Sequence, residues 1–219
     1  MKEIIPLRAS LSSLRRFEHR VTGKQNQVLK IRLLNKETDL PILNRWFNLD
    51  YSKKFWGMAG YTDEQLFLYY SQQIERSGAA FYVILIDGHL IAYFEIYYAT
   101  SEEIGGIQRF NDSDIGLHFL LGPGKDIIRC LPNQILHLTR NLLTLAVDYI
   151  FTYGNADIII VEPDINNISA NELAKRVGFA FCCEVKLSNK TANLYRFSGK
   201  DFKKLYRFTT LSKPNIFTS

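Results

Sequence analysis

Asp157-Ile158-Ile159-Ile160-Val161-Glu162-Pro163-Asp164 is the stretch that most constrains the fold of this chain. Its apolar run predicts a buried strand, and the Glu-Pro-Asp corner ends that strand. A short helix is expected at 169–177, with Gly178-Phe179 ending it. This order places the carboxylate of Asp164 at the carboxyl end of a buried strand, where open sheets usually carry their chemistry.

The composition is that of a single globular domain. The chain has 219 residues, of which 47% are hydrophobic and 13% aromatic, enough for a sizeable core. No stretch approaches the roughly 18 consecutive apolar residues of a membrane span. The first residues also lack the apolar region of a secretion signal. We therefore predict a cytoplasmic protein without a membrane partner.

Charge and cysteine usage narrow the classes of partner. Cys182 and Cys183 are adjacent in a predicted strand, and three cysteines in total argue against a disulfide framework or a metal site. The net charge is +5, and its basic part lies in residues 1–25 and 199–219. Basic ends can contact nucleic acid or an acidic partner, but without a nucleic-acid motif they favour solvated arms. We predict a basic N-terminal extension (1–27), one domain (28–205) and a C-terminal tail (206–219).

Hydrophobic periodicity predicts a mixed sheet with helices on both faces. Asp87-Gly88 is a strong hairpin signal, and Thr62-Asp63-Glu64-Gln65 is typical of a helix capping box. Residues 122–132 are predicted as a loop. A hairpin followed by β-α-β-α-β indicates the layered architecture. Strands are expected at 29–34, 81–86, 90–99, 113–121, 157–162, 180–187 and 191–197, and helices at 39–47, 62–77, 133–151 and 169–177.

One histidine is a candidate for chemistry. Alternation along the strand at 113–121 places Gly116, His118 and Leu120 on one face. A histidine at this position is either a catalytic group or a core histidine whose ring is satisfied by the backbone. The residue type alone does not decide between them.

Two further features are candidates for the same chemistry. Tyr93, Glu95 and Tyr97 share one face of a predicted strand, so a carboxylate lies between two aromatic rings unless this face is a solvent-facing edge. Asp164, with Asn167 close by, follows the strand at 157–162. Asp164 is either a catalytic carboxylate or a helix-entry residue, because Asp favours the first turn of a helix.

Taken together, the ordered motifs resemble the GNAT superfamily of N-acyltransferases, and within it the siderophore-biosynthesis branch of aerobactin-type hydroxylysine acetyltransferases and their mycobactin-type relatives. The resemblance spans residues 46–192. Its matching pieces are Trp46, Phe55-Trp56-Gly57-Met58, Glu95-Ile96-Tyr97-Tyr98, Asp114-Ile115-Gly116-Leu117-His118, Leu121-Gly122, Phe151, Glu162-Pro163-Asp164 with Asn167, Gly178-Phe179 and Lys190-Thr191-Ala192.

The resemblance implies a GNAT fold of the α/β (α+β) class: a central mixed, mostly antiparallel sheet, helices on both faces and a splayed parallel strand pair. It implies an acetyl-CoA or other acyl-CoA donor, no metal, and a small-molecule amine or hydroxylamine acceptor, with a hydroxamate as the product when the acceptor is a hydroxylamine. A homodimer or contact with a siderophore synthetase is left open. The implied residues are His118 and Asp164 as the acid/base pair, Trp56, Glu95 and Tyr97 at the acceptor, and Leu120, Leu121, Lys125, Arg129 and Asn167 at the CoA.

The expected phosphate-binding turn departs from the family pattern. GNAT proteins usually hold the CoA pyrophosphate with glycine-rich backbone that leads into the long helix. Here Cys130 and Pro132 stand where glycines are expected, while Lys125 and Arg129 still supply charge. The alternative is an ordinary strand–helix connection in a protein that has lost the cofactor.

Two rival functions remain open from the sequence. One is another small-molecule N-acetyltransferase of the aminoglycoside type, which shares the Asp-x-Gly strand and the Asp/Asn corner. The other is a non-catalytic module of the same fold in a biosynthetic assembly, which the missing glycines favour. The sequence gives neither the acyl chain length nor the identity of the acceptor.

Overall fold

The computed structural model describes residues 19–22, 28–76, 79–130, 137–154 and 156–206. Within these ranges eight strands form one sheet in the order β1-β2-β3-β4-β5-β6-β8-β7. All neighbouring strands are antiparallel except β5 and β6, which are parallel. The strands are β1 (His19–Thr22), β2 (Val28–Leu33), β3 (Ala80–Ile86), β4 (His89–Tyr98), β5 (Ile115–Leu121), β6 (Ile158–Val161), β7 (Ala180–Lys186) and β8 (Thr191–Ser198).

Helices cover both faces of the sheet, as the sequence predicts. They are α1 (Lys36–Phe47), α2 (Asp63–Arg76), α3 (Glu103–Ile107), α4 (Gly124–Cys130), α5 (Leu138–Tyr153), α6 (Ile168–Val177) and α7 (Gly199–Leu205), with a 3₁₀ turn at Ala99–Ser101. Within the described ranges, no helix combines the length and the apolar character that crossing a bilayer requires.

Alternation in the central strands builds two cores. In β4, Phe94 and Ile96 join the core under α5 and α6, whereas Tyr93 and Tyr97 join the core under α1 and α2. In β5, Leu120 belongs to the α1/α2 core. The predicted sharing of faces is therefore confirmed, and the face of β4 that carries Tyr93 is buried rather than a solvent-facing edge.

Local signals in the sequence fix several turns and helix ends. Asp87 and Gly88 have φ of 49° and 83°, the left-handed pair that a two-residue hairpin turn requires. Thr62 N–H donates to Gln65 Oε1 (2.8 Å) and Gln65 N–H donates back to Thr62 Oγ1 (3.2 Å), which confirms the capping box.

The segment before the long helix differs from its prediction. Residues 122–132 are expected as a loop, but Gly124–Cys130 form α4, which begins directly after Pro123. The long helix is expected from residue 133, yet His137 has a left-handed φ of 66° and α5 begins at Leu138. A residue with positive φ cannot continue a right-handed helix, so His137 sets the start. Pro132 lies outside the described residues.

The domain boundaries stay a prediction. Residues 19–22, which fall in the predicted N-terminal extension, pair with β2 from His19–Ile31 to Thr22–Val28 and add an edge strand to the sheet. The rest of the extension and most of the predicted tail lie outside the described residues.

The parallel pair is short, and this feature positions the site. Strands β5 and β6 pair only at Ile115–Ile159 and Gly116–Ile160. Strand β5 continues to Leu121, so its later residues have no strand partner on the side of β6 in the part of the chain described here. The predicted splay of this pair is confirmed.

Candidate active site

A cavity of about 480 Å³ opens where β5 and β6 part. One wall comes from the connection between α1 and α2, another from β5, and a third from the corner after β6 and helix α6. The polar and aromatic side chains that line it include Lys54, Trp56, Tyr61, Tyr69, Glu95, His118, Glu162, Asp164, Asn167 and Lys190.

His118 lies between two carboxylates at the base of this cavity. Its Nδ1 is 2.5 Å from Glu95 Oε1, and its Nε2 is 2.6 Å from Glu162 Oε1. The imidazole side chain is 35% exposed, whereas both glutamates are buried. The alternative of a core histidine satisfied by the backbone does not describe this ring, because side-chain carboxylates take both of its nitrogens.

Strand register explains how these three groups meet. Glu95 is paired with His118 in the antiparallel β4/β5 ladder, so their side chains leave the same face side by side. On the other side, Gly116 is paired with Ile160 in the parallel ladder. Two residues further along each chain, on the same face, are His118 and Glu162.

Tyrosine hydroxyls hold the carboxylates in place. Tyr93 donates to Glu95 Oε2 (2.7 Å), and Tyr97 donates to Glu162 Oε2 (2.8 Å). Behind Tyr93, the Tyr70 hydroxyl on α2 extends the chain by donating to the Tyr93 hydroxyl (2.9 Å). Each carboxylate oxygen of the pair thus already accepts a hydrogen bond.

A lysine approaches the cluster from the loop between β7 and β8. Lys190 Nζ donates to the main-chain oxygen of Glu162 (2.8 Å) and lies 3.9 Å from Glu162 Oε1. The cation therefore fixes the backbone of the residue that follows β6 and adds positive charge beside its carboxylate.

The electrostatics of the cluster favour a protonated ring. Burial alone would lower the pKa of His118, but the Glu162 and Glu95 carboxylates outweigh burial and raise that pKa from 6.5 to about 10. Burial also works against ionised Glu162, yet His118, Lys190 and Tyr97 bring the pKa of Glu162 down to about 2. Both shifts favour a protonated His118 paired with an ionised Glu162.

Comparison with known proteins identifies the family. Residues 35–187, well over half of the chain, match the family model described as an acetyltransferase (GNAT) domain. The chain belongs to the GNAT acetyltransferase family. The family and fold that the sequence motifs imply are therefore confirmed, and the chain is an N-acetyltransferase by family.

Two curated proteins are similar to this GNAT acetyltransferase. The N-hydroxyputrescine acetyltransferase of Acinetobacter baumannii is 23% identical over 160 residues, which cover 72% of this chain and 71% of that protein. The N(6)-hydroxylysine O-acetyltransferase of Escherichia coli is 27% identical over 108 residues, which cover 49% of this chain and only 33% of that protein.

Solved structures share the fold at lower sequence identity. An uncharacterized Bacillus halodurans protein superposes with a TM-score of 0.75 at 21% identity, covering 87% of this chain and 94% of its own. The aminoglycoside acetyltransferase AAC(6')-Ib in complex with coenzyme A superposes with a TM-score of 0.68 at 21% identity, covering 80% and 98%. These likenesses establish the GNAT architecture.

The predicted catalytic pair shares the cavity but not a contact. Asp164 lines the cavity together with His118. Its Oδ1 accepts from Asn166 N–H (2.7 Å), and its main-chain oxygen accepts from Asn171 Nδ2 (2.8 Å), so Asp164 shapes the turn into α6. Within the described residues, the hydrogen-bond partners of His118 are Glu95, Glu162 and Tyr97 instead. A catalytic role for Asp164 stays a prediction.

Glu162 is the group that sequence reasoning missed. The Glu-Pro-Asp corner drew attention to Asp164, which sits at the exposed turn, but the register of a parallel ladder places Glu162 beside His118. Parity places Glu162 on the same strand face as Ile160, but the pairing of Ile160 with Gly116, which brings that face to His118, comes from the structure. The sequence motif contains Lys190 without assigning it a role.

The predicted acceptor residues take different places. Trp56 lines the cavity, with its ring centroid 6.1 Å from that of His118. Glu95 also lines it. Tyr97 is only 5% exposed and lies behind Glu162, so it holds the carboxylate rather than forming the cavity wall.

The predicted CoA residues are likewise spread out. Asn167 lines the cavity and caps α6, its Oδ1 accepting from Ala170 N–H (3.2 Å). Leu120 is buried in the α1/α2 core, and the main-chain oxygen of Leu121 accepts from the Tyr51 hydroxyl (2.8 Å). Lys125 is exposed on α4. The side chain of Arg129, on the same helix, lies outside the described part of the chain.

Gly116 makes room for the Tyr97 ring. A Cβ at this position would lie 2.0 Å from Cε2 and Cζ of Tyr97. We expect Gly116→Ala to destabilise the fold by about 1–3 kcal/mol, the usual cost of overpacking. The added methyl group should also displace the Tyr97 ring and move its hydroxyl away from Glu162. Chemical denaturation measures the loss. Gly106→Ala is the matched control because a Cβ there meets nothing within 4 Å; equal stability of the two variants would contradict this account.

Proposed function

We propose that this GNAT acetyltransferase transfers an acetyl group from acetyl-CoA to the hydroxylamine nitrogen of an N-hydroxylated amino acid or diamine, giving a hydroxamate for siderophore assembly in the cytoplasm. The observation that carries the proposal is the Glu95–His118–Glu162 cluster at the base of an aromatic-walled cavity. The similarity to acetyltransferases named for N-hydroxyputrescine and N(6)-hydroxylysine supports it.

The cluster suits a nucleophile that arrives uncharged. Both ring nitrogens of His118 face carboxylate oxygens, so neither offers a lone pair to a proton. An N-hydroxylamine is far less basic than an alkylamine and is largely uncharged near neutrality. It therefore needs no strong base before it attacks the thioester.

The proton balance of the reaction is simple. The nitrogen lone pair forms the N–C bond, and the electron pair of the C–S bond leaves with sulfur. The nitrogen then releases its proton to water or to the carboxylate of Asp164 at the cavity wall, and the thiolate takes a proton from water. His118 keeps its protons and supplies a fixed positive charge beside developing negative charge, which is an electrostatic rather than a proton-transfer role.

The splayed strands suit an acyl-CoA. The acyl thioester supplies an activated acetyl group, so the protein has mainly to align the reactants. Among the described residues, no strand pairs with β5 after Gly116 on the side of β6, which leaves main-chain groups available to a pantetheine arm. Asn167 and Ala170 extend the same cavity toward α6. Lys125 and Arg129 are the proposed phosphate contacts.

Purified protein with acetyl-CoA tests the proposal. N6-hydroxylysine and N-hydroxyputrescine are compared with lysine, putrescine and kanamycin, and release of the CoA thiol is followed. We expect turnover on at least one hydroxylamine at a kcat/KM at least about 100-fold above that on its parent amine, a ratio typical of one well-placed catalytic effect.

The product distinguishes the reacting atom. A hydroxamate forms a coloured ferric chelate, whereas an O-acetyl hydroxylamine does not chelate in this way. Turnover on kanamycin with none on either hydroxylamine would reject the proposal in favour of the aminoglycoside-type rival. No turnover and no binding of acetyl-CoA at millimolar concentration would favour the non-catalytic module.

A further inference from the structure

The hydrogen bonds around His118 form a closed set. Its Nδ1 and Nε2 are 2.5 Å and 2.6 Å from Glu95 and Glu162, and the second oxygen of each glutamate accepts from a tyrosine. Burial raises the pKa of Tyr93 and Tyr97 well above the ordinary value, so both hydroxyls keep their protons and donate them to the carboxylates. A ring whose two nitrogens both face carboxylates carries two protons and has no basic nitrogen.

The titratable groups that surround the ring come from several elements. Strand β4 brings Glu95 and Tyr97, the residue after β6 brings Glu162, and the β7–β8 loop brings Lys190 against Glu162. Glu102, after the 3₁₀ turn, interacts with His118 over a longer distance. The carboxylates prevail over the lysine because they contact the imidazole directly, whereas Lys190 contacts Glu162.

A fixed imidazolium treats two kinds of acceptor differently. An alkylamine reaches the site as an ammonium ion and must lose a proton before its nitrogen can attack. The closed ring cannot take that proton, because neither of its nitrogens has a free lone pair. A hydroxylamine arrives with its lone pair free and does not meet this obstacle.

We infer that Glu162 is a specificity-determining residue, which, by closing the Nε2 side of His118, restricts the enzyme to acceptors that are uncharged at neutral pH. This inference rests on the proposed function and deepens it. It assigns the selection of hydroxylamine over amine to the charge state of the histidine rather than to the shape of the aromatic wall. Glu162 acts through His118 and is a positioning residue in this sense.

Glu162→Gln tests the inference because it removes the charge and keeps the shape. Loss of an opposite charge at hydrogen-bond distance lowers the pKa of a histidine by about 1–3, and Lys190 stays nearby. The wild-type rate should fall as pH rises through about 10, where His118 loses its second proton. In Glu162→Gln this alkaline limb should move down by about 1–3 pH units.

The acceptor preference should change at the same time. With Nε2 freed as a base near neutrality, kcat/KM for putrescine should rise relative to N-hydroxyputrescine, narrowing the wild-type preference by about ten-fold or more. Glu184→Gln is the matched control, because Glu184 is exposed on β7 and does not line the cavity. Its pH profile and preference should equal those of the wild type.

A measurement on the wild type keeps the inference testable if Glu162→Gln does not fold. Nitrogen NMR of the imidazole, assigned with His118→Gln, should show both ring nitrogens protonated at pH 7 and a titration well above pH 8. A neutral tautomer at pH 7 would overturn the inference.

The two proposals fail in different ways. If the wild type acetylates amines and not hydroxylamines, the proposed function is wrong. If it acetylates hydroxylamines, but Glu162→Gln keeps the wild-type alkaline limb and acceptor ratio, the proposed function stands and the inference about Glu162 is wrong.

Discussion

His118→Ala should lower kcat for acetyl transfer by about 10²–10³, the loss seen when one preorganised electrostatic contact to developing charge is removed. At the base of the cavity, this ring is the cation that contacts both Glu95 and Glu162. KM for acetyl-CoA should change little, because the slot between β5 and β6 is built from main chain and from α6. Initial-rate kinetics at saturating acceptor separate the two parameters.

The control for this variant is His89→Ala, an exposed histidine at the start of β4. It should keep the wild-type kcat. Without the ring, Glu95 and Glu162 face each other across the cavity base, so circular dichroism and acetyl-CoA binding must show that the variant is folded. A folded His118→Ala enzyme with unchanged kcat would remove the imidazole from the chemistry.

Ala170→Trp should weaken acetyl-CoA binding by at least about ten-fold, which is about 1.4 kcal/mol. Ala170 lies in the first turn of α6 and lines the cavity on the side where the parallel strands part. An indole there occupies space that the proposed pantetheine arm requires. The helix itself should persist, because the Ala170 N–H that bonds to Asn167 belongs to the main chain.

Thermal unfolding in the presence of ligand measures this loss. Acetyl-CoA at 100 times its Kd should stabilise the wild type by about 2.7 kcal/mol, and most of this gain should disappear in Ala170→Trp. Glu172→Trp places the same side chain on the same helix at an exposed position that does not line the cavity. If the two tryptophan variants bind acetyl-CoA equally well, the ligand does not use this part of the cavity.

Much of the fold follows from alternation and local signals. The shared face of Tyr93, Glu95 and Tyr97 and that of Gly116, His118 and Leu120 are properties of strand geometry, which has a period of two residues. Asp87-Gly88 and the Thr62 capping box act within a few residues, so the sequence alone specifies them. These signals predict the faces that carry Glu95 and His118, but the pairing of their two strands comes from the structure.

The site itself depends on contacts that periodicity does not encode. Glu162 meets His118 because of the register between two strands joined through α5, and no local pattern states that register. Helix α4 forms in a segment whose glycines and Pro123 favour a loop, which shows tertiary structure prevailing over local propensity. The sequence favours Asp164 as the carboxylate at a turn, yet the carboxylates in contact with the imidazole lie on β4 and directly after β6.

The β5/β6 ladder is short: in the described part of the chain, it joins the two halves of the sheet, β1–β5 and β6–β8, through two residue pairs. The hydrogen bond between His118 and Glu162 lies two residues beyond the Gly116–Ile160 pair and adds a side-chain link between the two halves. This side-chain contact lies beside the cavity, where the two halves of the sheet separate. Replacing either partner should therefore loosen the connection between the two halves at the edge of the cavity.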